Sequence, residues 1–504
     1  MKNILHCFLG RSPALSTKNK KSSLGLHSRR LSMEPLESRV VFNATFDSAI
    51  SIGSSGYDAA FDVATDPSGN QYMAGYFQGT VDFDPAAAHY GDTDIRSTAG
   101  DERDIFLAKY APDGSFLWVR QMVGAPGSSA TKSTARSVTT DANGNAYLAG
   151  DFMGTVSFGV YSLTSTNGTK DGFVAKVASD GTVLWADQWG GAEQEYVEGV
   201  AIDSAGNVLT AGYTFKVNPD GSNAYVNMQI GKFAPTGTPL WQKKIGNTNG
   251  GNEAAFGIGA DTAGNVYVSG SFKGTVDFDP GSNIKNVQGG PNDNGFVLKL
   301  TANGDFGWAS PFVAQTSGAS SGCRDLVVDG NGNVVVGGYY RGPVDFKPGS
   351  GTYKLPYYSD TTGGGFVEKL NSSGAMLWVQ PVGAVGYSAV NDLALDSAGN
   401  VYTVGTFQGQ LDFDPGSGTT NLTSNGGTDV FVAKFNTTGA FQWAVSFGGT
   451  GNDYASGIAV DSSGNVYVAG YYFDTVDFDP NPLSTKLKTS AGFNDAFLLK
   501  LKQT

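Results

Sequence analysis

Short apolar or alternating segments, each bounded by a turn of Asp, Gly and Asn, recur along nearly the whole chain. That rhythm predicts many short strands joined by tight turns. Seven times an apolar strand ends in Asp and is followed by two residues, Gly-Asn and another strand, at Asp66, Asp141, Asp203, Asp261, Asp329, Asp396 and Asp461. The mean spacing is about 66 residues, the period of a repeat architecture. In Asp461-Ser462-Ser463-Gly464-Asn465 the carboxylate is set to cap the turn amides, and Gly takes the left-handed conformation that side chains resist. Ile458-Ala459-Val460 before it reads as a buried strand, and Val466-Tyr467-Val468-Ala469-Gly470 after it alternates.

A second hairpin follows in each repeat. One strand carries a recurrent Lys at 109, 176, 232, 299, 369, 434 and 500. A turn at Gly114, Gly181, Gly237, Gly304, Gly374 or Gly439 then leads to a strand carrying Trp118, Trp185, Trp241, Trp308, Trp378 or Trp443. The last Lys strand, Asp495 to Leu501, has no fourth strand after it, whereas Phe46 to Ile52 precedes the first repeat without a unit of its own. Ser51-Ile52-Gly53 aligns with Ser446-Phe447-Gly448, part of a fourth strand. The expectation is an all-β fold: residues 45–504 form a single seven-bladed β-propeller of four-stranded antiparallel blades, its last blade closed by the N-terminal strand, with no exposed sheet edge. A solenoid would instead need a cap at each end.

Segments such as Asp-Ser-Ser-Gly-Asn-Val-Tyr-Val-Ala-Gly and Phe-Val-Ala-Lys-Phe resemble the SBBP family of bacterial β-propeller repeats, over residues 46–502. The resemblance implies a propeller, often in a cell-surface setting, without implying an established activity.

Charge divides the chain. Residues 1–44 hold eight Lys or Arg and two Asp or Glu, so the remainder of the chain carries a net charge of −19. An acidic body repels phosphate backbones, which argues against nucleic acid as a partner. The two cysteines are Cys7 and Cys323, so the body has no internal disulfide, and no apolar run reaches the length of a membrane-spanning helix. Residues 1–44 read as a basic leader, expected to be disordered or removed. Within it, Arg29-Arg30-Leu31-Ser32-Met33-Glu34-Pro35-Leu36-Glu37-Ser38-Arg39-Val40-Val41-Phe42 resembles the LEPR-type N-terminal motif of planctomycete cell-surface proteins, with Ser38 and Val40-Val41-Phe42 as departures. That resemblance implies an extracellular or cell-surface location in a bacterium.

In a propeller the first-to-second and third-to-fourth strand turns share one face, and here those turns are uniform. The opposite face collects long, variable connections, and function on a rigid scaffold rides on variable loops. Residues entering each innermost strand are expected to ring the channel mouth there: Asp62, Arg136, Glu198, Arg324, Asp325, Asn391 and Asp392, with Tyr57, Tyr196 and Tyr454 slightly earlier. Solvated loop ends with no selected role would look the same. The seven turn Asp residues need no role beyond capping, the Trp positions read as packing between blades, and the recurrent Lys as pairing with a nearby carboxylate.

Asp-Phe-Asp-Pro recurs with Asp82 and Asp84, Asp277 and Asp279, Asp412 and Asp414, and Asp477 and Asp479. Each pair offers Ca²⁺ two hard oxygens, whereas six to eight are needed, and Asp-Pro also makes an ordinary strand exit. No other cofactor is indicated. His89 is the only histidine after residue 44, which excludes a multi-histidine metal site, and no Gly-x-Ser-x-Gly or phosphate-binding Gly loop occurs. The favoured reading is a monomeric interaction module binding a protein or polysaccharide through its long-loop face. The alternative is a carbohydrate-active enzyme, a lyase or hydrolase, using channel-mouth carboxylates.

Overall fold

A computed structural model describes residues 44–85, 94–98, 102–124, 132–217, 223–246, 252–347, 351–357, 359 and 363–503. Residues 1–43, with Cys7 and the leader motif, and His89 lie outside the described residues. What is described is strand and turn, with one three-residue 3-10 turn at Thr166–Gly168.

The strands Ala59–Thr65, Gln71–Gln78, Arg103–Tyr110 and Phe116–Gly124 pair antiparallel in chain order. The same up-and-down order starts again at Thr134, Gln194, Ala254 and Ser320. A 20-residue strand, Met376–Leu395, serves two units. Its first part pairs with Gly363–Leu370 and its second with Val401–Gln408. In the sheet begun by Tyr454–Val460, the strand Asp495–Gln503 pairs with Ala44–Ile52, with Ala49 opposite Leu499 and Ile52 opposite Ala496. The N-terminal strand thus fills a fourth-strand place. The first strands of the units lie side by side, Ala59–Thr65 touching Thr134–Thr140 and also Tyr454–Val460.

Largely apolar second and third strands bury side chains on both faces of the sheets, and the core lies between sheets. One cluster joins Ile52, Tyr467 and Leu498 to Val63, Phe77 and Phe106, so the sheet holding the first and last described strands packs on the first unit. Phe83, Phe278, Phe413 and Phe478 of the Asp-Phe-Asp-Pro motifs are buried in such clusters, each against two or more further aromatic rings. Each ring contributes about 2–3 kcal/mol of burial free energy.

The turn Asp behaves as the sequence implies. Asp66 Oδ1 accepts the amides of Ser68 and Asn70, and Oδ2 accepts the Asn70 side-chain amide. The recurrent Lys pairs with that carboxylate, at 3.4 Å for Lys109–Asp66 and 2.9 Å for Lys232–Asp203 and Lys369–Asp329. Lys500 is the exception: it binds Asp47 of the N-terminal strand at 3.0 Å. The Trp residues fasten one unit to the next. Trp308 Nε1 donates to Ser372 O at 3.1 Å, in a turn whose Gly374 has φ +85 and lies flat on that indole. Trp118, Trp185, Trp241 and Trp378 repeat the bond at 3.1–3.2 Å.

The long second-to-third connections differ from expectation in where they go. Several fold into small hairpins laid against the outer strand of the preceding unit. Val156 and Ser157 pair with Gly124 and Val123, Val344 and Asp345 with Ala314 and Val313, and Val476 and Asp477 with Gly449 and Gly448. They cover sheet edges that would otherwise offer free backbone groups. The carboxylates of the Asp-Phe-Asp-Pro motifs close these hairpins: Asp277 Oδ1 accepts Asp279 N and Lys285 N, and Asp412 Oδ1 accepts Asp414 N and Thr420 N.

Candidate functional site

A cavity of about 860 Å³ runs between the first strands of the units, lined from Phe61–Thr65, Arg136–Thr140 and Arg324–Val327 among others. Its mouth is shaped by a repeated irregularity. Every first strand slips register near its start, between Ala60 and Asp62, Ala135 and Ser137, Val197 and Gly199, Ala255 and Ile258, Cys323 and Asp325, Val390 and Asp392, and Ala455 and Gly457. A bulge frees one residue from the ladder and re-aims it. Those residues are Phe61, Arg136, Glu198, Phe256, Arg324, Asn391 and Ser456, and all of them line the cavity. The backbone repeats, and the chemistry it presents does not.

The next residue along has a different task. Asp62 Oδ2 accepts the Val138 amide of the following unit at 2.8 Å and the Ser137 hydroxyl at 3.0 Å. Asp325 Oδ2 accepts Leu393 N at 3.2 Å, Asp392 Oδ2 accepts Ile458 N at 2.6 Å, and Ser137 Oγ accepts Val200 N at 3.3 Å. Where no side chain makes this bond, Gly lets the next backbone approach; a Cβ on Gly457 would stand 2.7 Å from Asp62 Cα. Three of the predicted site carboxylates therefore bind neighbouring units together.

Burial pushes all three carboxyls up. Asp62 is held well above the usual range, first by desolvation and then by the negative charge of Asp392. Asp325 rises to about 6, chiefly through burial. Asp392 lies well above its ordinary value through burial and the negative charge of the adjacent Asp325. Two facing carboxyls in a desolvated wall each oppose the ionisation of the other.

Arg136 is neutralised within the protein. It donates to Asp151 Oδ1 at 2.5 Å and Glu198 Oε2 at 3.2 Å. Burial opposes its charge, but these carboxylates outweigh that and hold its pKa above the ordinary value. Lys170 also binds Asp151, and it lies 5.2 Å from the Tyr196 ring, which stacks on Tyr213 at 4.9 Å. Arg324 is different: it is exposed, lies 5.7 Å from the Tyr339 ring centroid and has no carboxylate partner among the described residues.

The cavity brings together Asp62, Arg136, Glu198, Arg324, Asp325, Asn391, Asp392 and Tyr454 from the sequence-based set, while Tyr57 and Tyr196 lie outside its lining. Sequence reasoning missed Phe61 and Phe256 at the bulge, and Tyr339 and Tyr471, which also line it. The missing signal was available: the two tyrosines directly follow the Gly near the end of the second strand, as do Tyr76 and Tyr213. Among the described residues no three Asp, Glu, His or Cys side chains gather to hold a metal ion.

The chain is similar in part to several known proteins. The SBBP β-propeller repeat model matches residues 442–471. An uncharacterized WD repeat-containing protein of Acanthamoeba polyphaga mimivirus is 24% identical over 84% of this chain and 36% of its own length. The regulatory protein FlaEY of Caulobacter vibrioides is 29% identical over 32% of this chain and 16% of its own. The chain thus spans about a third or less of these relatives. Among solved structures, a polysaccharide lyase, an ulvan lyase, aligns over 88% of this chain and 97% of its own with a TM-score of 0.43 at 10% identity. The chain is a β-propeller repeat protein.

Proposed function

We propose that the four-stranded units form one seven-bladed ring, closed by the strand Ala44–Ile52, and that this ring is an exported bacterial binding module. It engages a polysaccharide or protein at the mouth of its central channel. One observation carries the reading: the bulged position of the first strands varies in chemistry, with two Phe, two Arg and one each of Glu, Asn and Ser turned into one shared cavity. Uniform packing needs uniform residues, whereas recognition needs a varied set on a rigid frame. Pairing of the two terminal strands supports closure, and the resemblance of residues 29–42 to an export motif supports secretion.

The test is retention of the full chain on immobilised neutral and acidic polysaccharides, with and without Ca²⁺, scoring bound protein and released oligosaccharide. Retention that is lost in Phe61→Ala and Arg324→Ala, at unchanged melting temperature, is the expected result. Retention equal in both variants would remove the channel mouth from the account.

A second reading rests on the Asp325–Asp392 pair. Glycoside hydrolysis employs two carboxyls of unequal pKa set about 5–9.5 Å apart across the scissile bond, so this reading needs Asp325 and Asp392 to stand apart around a bound sugar. Asp325→Asn keeps an acceptor for the Leu393 amide, so it separates the two readings. Released oligosaccharide that disappears in this variant would favour catalysis; absence of release from the parent chain would exclude it for the substrates tried.

A further inference from the structure

Arg103 opens the strand Arg103–Tyr110, opposite Gln78 of the strand beside it. Its guanidinium carbon lies 4.4 Å from the Tyr76 ring centroid and 5.5 Å from that of Tyr57. The tyrosines fix it in place, yet among the described residues none of its N–H groups meets a hydrogen-bond acceptor and no carboxylate pairs with it. Two other arginines of the body are engaged, whereas Arg324, over the Tyr339 ring, also lacks a carboxylate partner among the described residues. Arg120 donates to backbone carbonyls of the next unit, and Arg136 sits between two carboxylates. The nearby Asp58 forms no ion pair with Arg103; its oxygens accept the amides of Ser54 and Gln78.

Aromatic rings extend this arrangement in both directions. Outward, Tyr57 stacks on Phe493 with centroids 4.6 Å apart and planes 3° from parallel. These two rings are 38% and 59% exposed, so the stacked pair presents an aromatic surface to solvent. Inward, Tyr76 meets Phe61 at 5.8 Å, Phe61 meets Tyr471 at 6.4 Å, and Tyr471 stacks on Tyr454 at 5.1 Å. Phe61, Tyr471 and Tyr454 line the cavity. A continuous aromatic track therefore runs from an exposed rim to the channel mouth, with one pinned and unsatisfied guanidinium on it.

We infer that this track is the binding path of an anionic polysaccharide, with Arg103 taking a carboxylate or sulfate of one sugar and the flanking rings stacking on its neighbours. The inference deepens the channel-mouth reading and rests on it. A planar guanidinium held between rings loses little freedom on binding and offers paired N–H donors to an oxyanion. Aromatic faces suit the C–H faces of pyranose rings, and tyrosine supplies such a surface at low entropic cost. The net charge of −19 on the body sets a limit on charge density. A nucleic acid, with a phosphate every ~3.4 Å along each strand, meets that repulsion at every step. A polymer with one charge per disaccharide meets it far less often and matches a single arginine.

The experiment titrates the full chain calorimetrically with three oligosaccharides of equal length. Hyaluronan carries one carboxylate per disaccharide, κ-carrageenan one sulfate per disaccharide, and dextran no charge. Binding of one or both anionic probes, tenfold or more weaker in Arg103→Ala and several-fold weaker in Arg103→Lys, is expected, with no comparable dextran affinity. Which anionic probe binds identifies the group Arg103 takes. Tyr57→Ala is expected to weaken the same titration without altering its salt dependence, and Arg103→Ala to flatten that dependence. If dextran binds as tightly as either anion, or if Arg103→Ala binds like the parent chain, the inference is overturned. Should Phe61→Ala still abolish binding in that event, the channel-mouth reading survives without it. If none of the three probes binds, the saccharide inference fails while a protein ligand at the mouth stays open to test.

Discussion

Raising the pH from 5 to 8 is expected to destabilise this protein, and Asp429→Asn is expected to remove a measurable part of the loss. Asp429 opens the strand Asp429–Phe435 and is 1% exposed. Its Oδ2 accepts the Asn425 amide at 2.8 Å, while Oδ1 is buried without a hydrogen-bond partner. Burial, with the negative charge of Asp453 beyond it, pushes its carboxyl up to about 7, and Asp453 itself rises to about 6. A carboxyl whose folded pKa exceeds its unfolded one binds its proton more tightly in the folded state. Stability is then greatest at low pH and falls as pH rises from the unfolded value, 3.8, to the folded one near 7. The interval from pH 5 to 7 spans about two units, worth ~3 kcal/mol at full strength, and roughly 1–3 kcal/mol once structural relaxation and water entry are allowed. The amide in Asp429→Asn keeps an oxygen for the Asn425 N–H and carries no charge at any pH. For a unit of this length, with an unfolding entropy of about 1 kcal/mol per kelvin, the variant's advantage over the parent should grow by roughly 1–3 °C between pH 5 and 8. Melting curves of both proteins across that range measure it directly. Parallel pH profiles, or a variant that loses ground at pH 8, would refute the burial argument.

Three further outcomes follow from the packing. Trp308→Phe removes the bond to Ser372 O and should cost about 1 kcal/mol, read as a lowered denaturation midpoint. Gly457→Ala forces a Cβ against the Asp62 backbone, 2.7 Å from its Cα, and should cost about 1–3 kcal/mol; a melting temperature equal to the parent's would show that neighbouring first strands are not in contact there. Since the Asp82, Asp277, Asp412 and Asp477 carboxylates each accept backbone amides of their own turns, removing Ca²⁺ with a chelator should leave the melting temperature unchanged, and a drop of several degrees would assign those pairs to the ion.

The fold was legible because each repeat states its turn chemistry outright. Asp461-Ser462-Ser463-Gly464-Asn465 closes as a carboxylate-capped turn, and Phe431 to Phe435 forms the buried third strand that its apolar run implies. Lys434 pairs with Asp396 at 3.9 Å, the carboxylate expected of it. The site was legible only in outline. Sequence placed Asp62, Asp325 and Asp392 at the channel but could not tell a carboxylate facing a ligand from one binding the next unit's amide, a distinction set by packing across about 66 residues of chain. Bulges are also invisible in a strand's alternation. The shift that turns Phe61 and Phe256 into the cavity therefore leaves no mark in the alternation. Arg103 was missed because its partners, Tyr57 and Tyr76, come from different segments.

The most direct test of the account is hydrogen exchange measured by mass spectrometry on the full chain, with and without the polysaccharide it retains most tightly. Protection confined to the bulge segments around Phe61, Arg324 and Asn391 and to the strand start at Arg103, with the Asp-x-x-Gly-Asn turns unchanged, is the predicted result. Protection centred on those turns, or spread over the outer hairpins while the channel mouth exchanges as before, would contradict it.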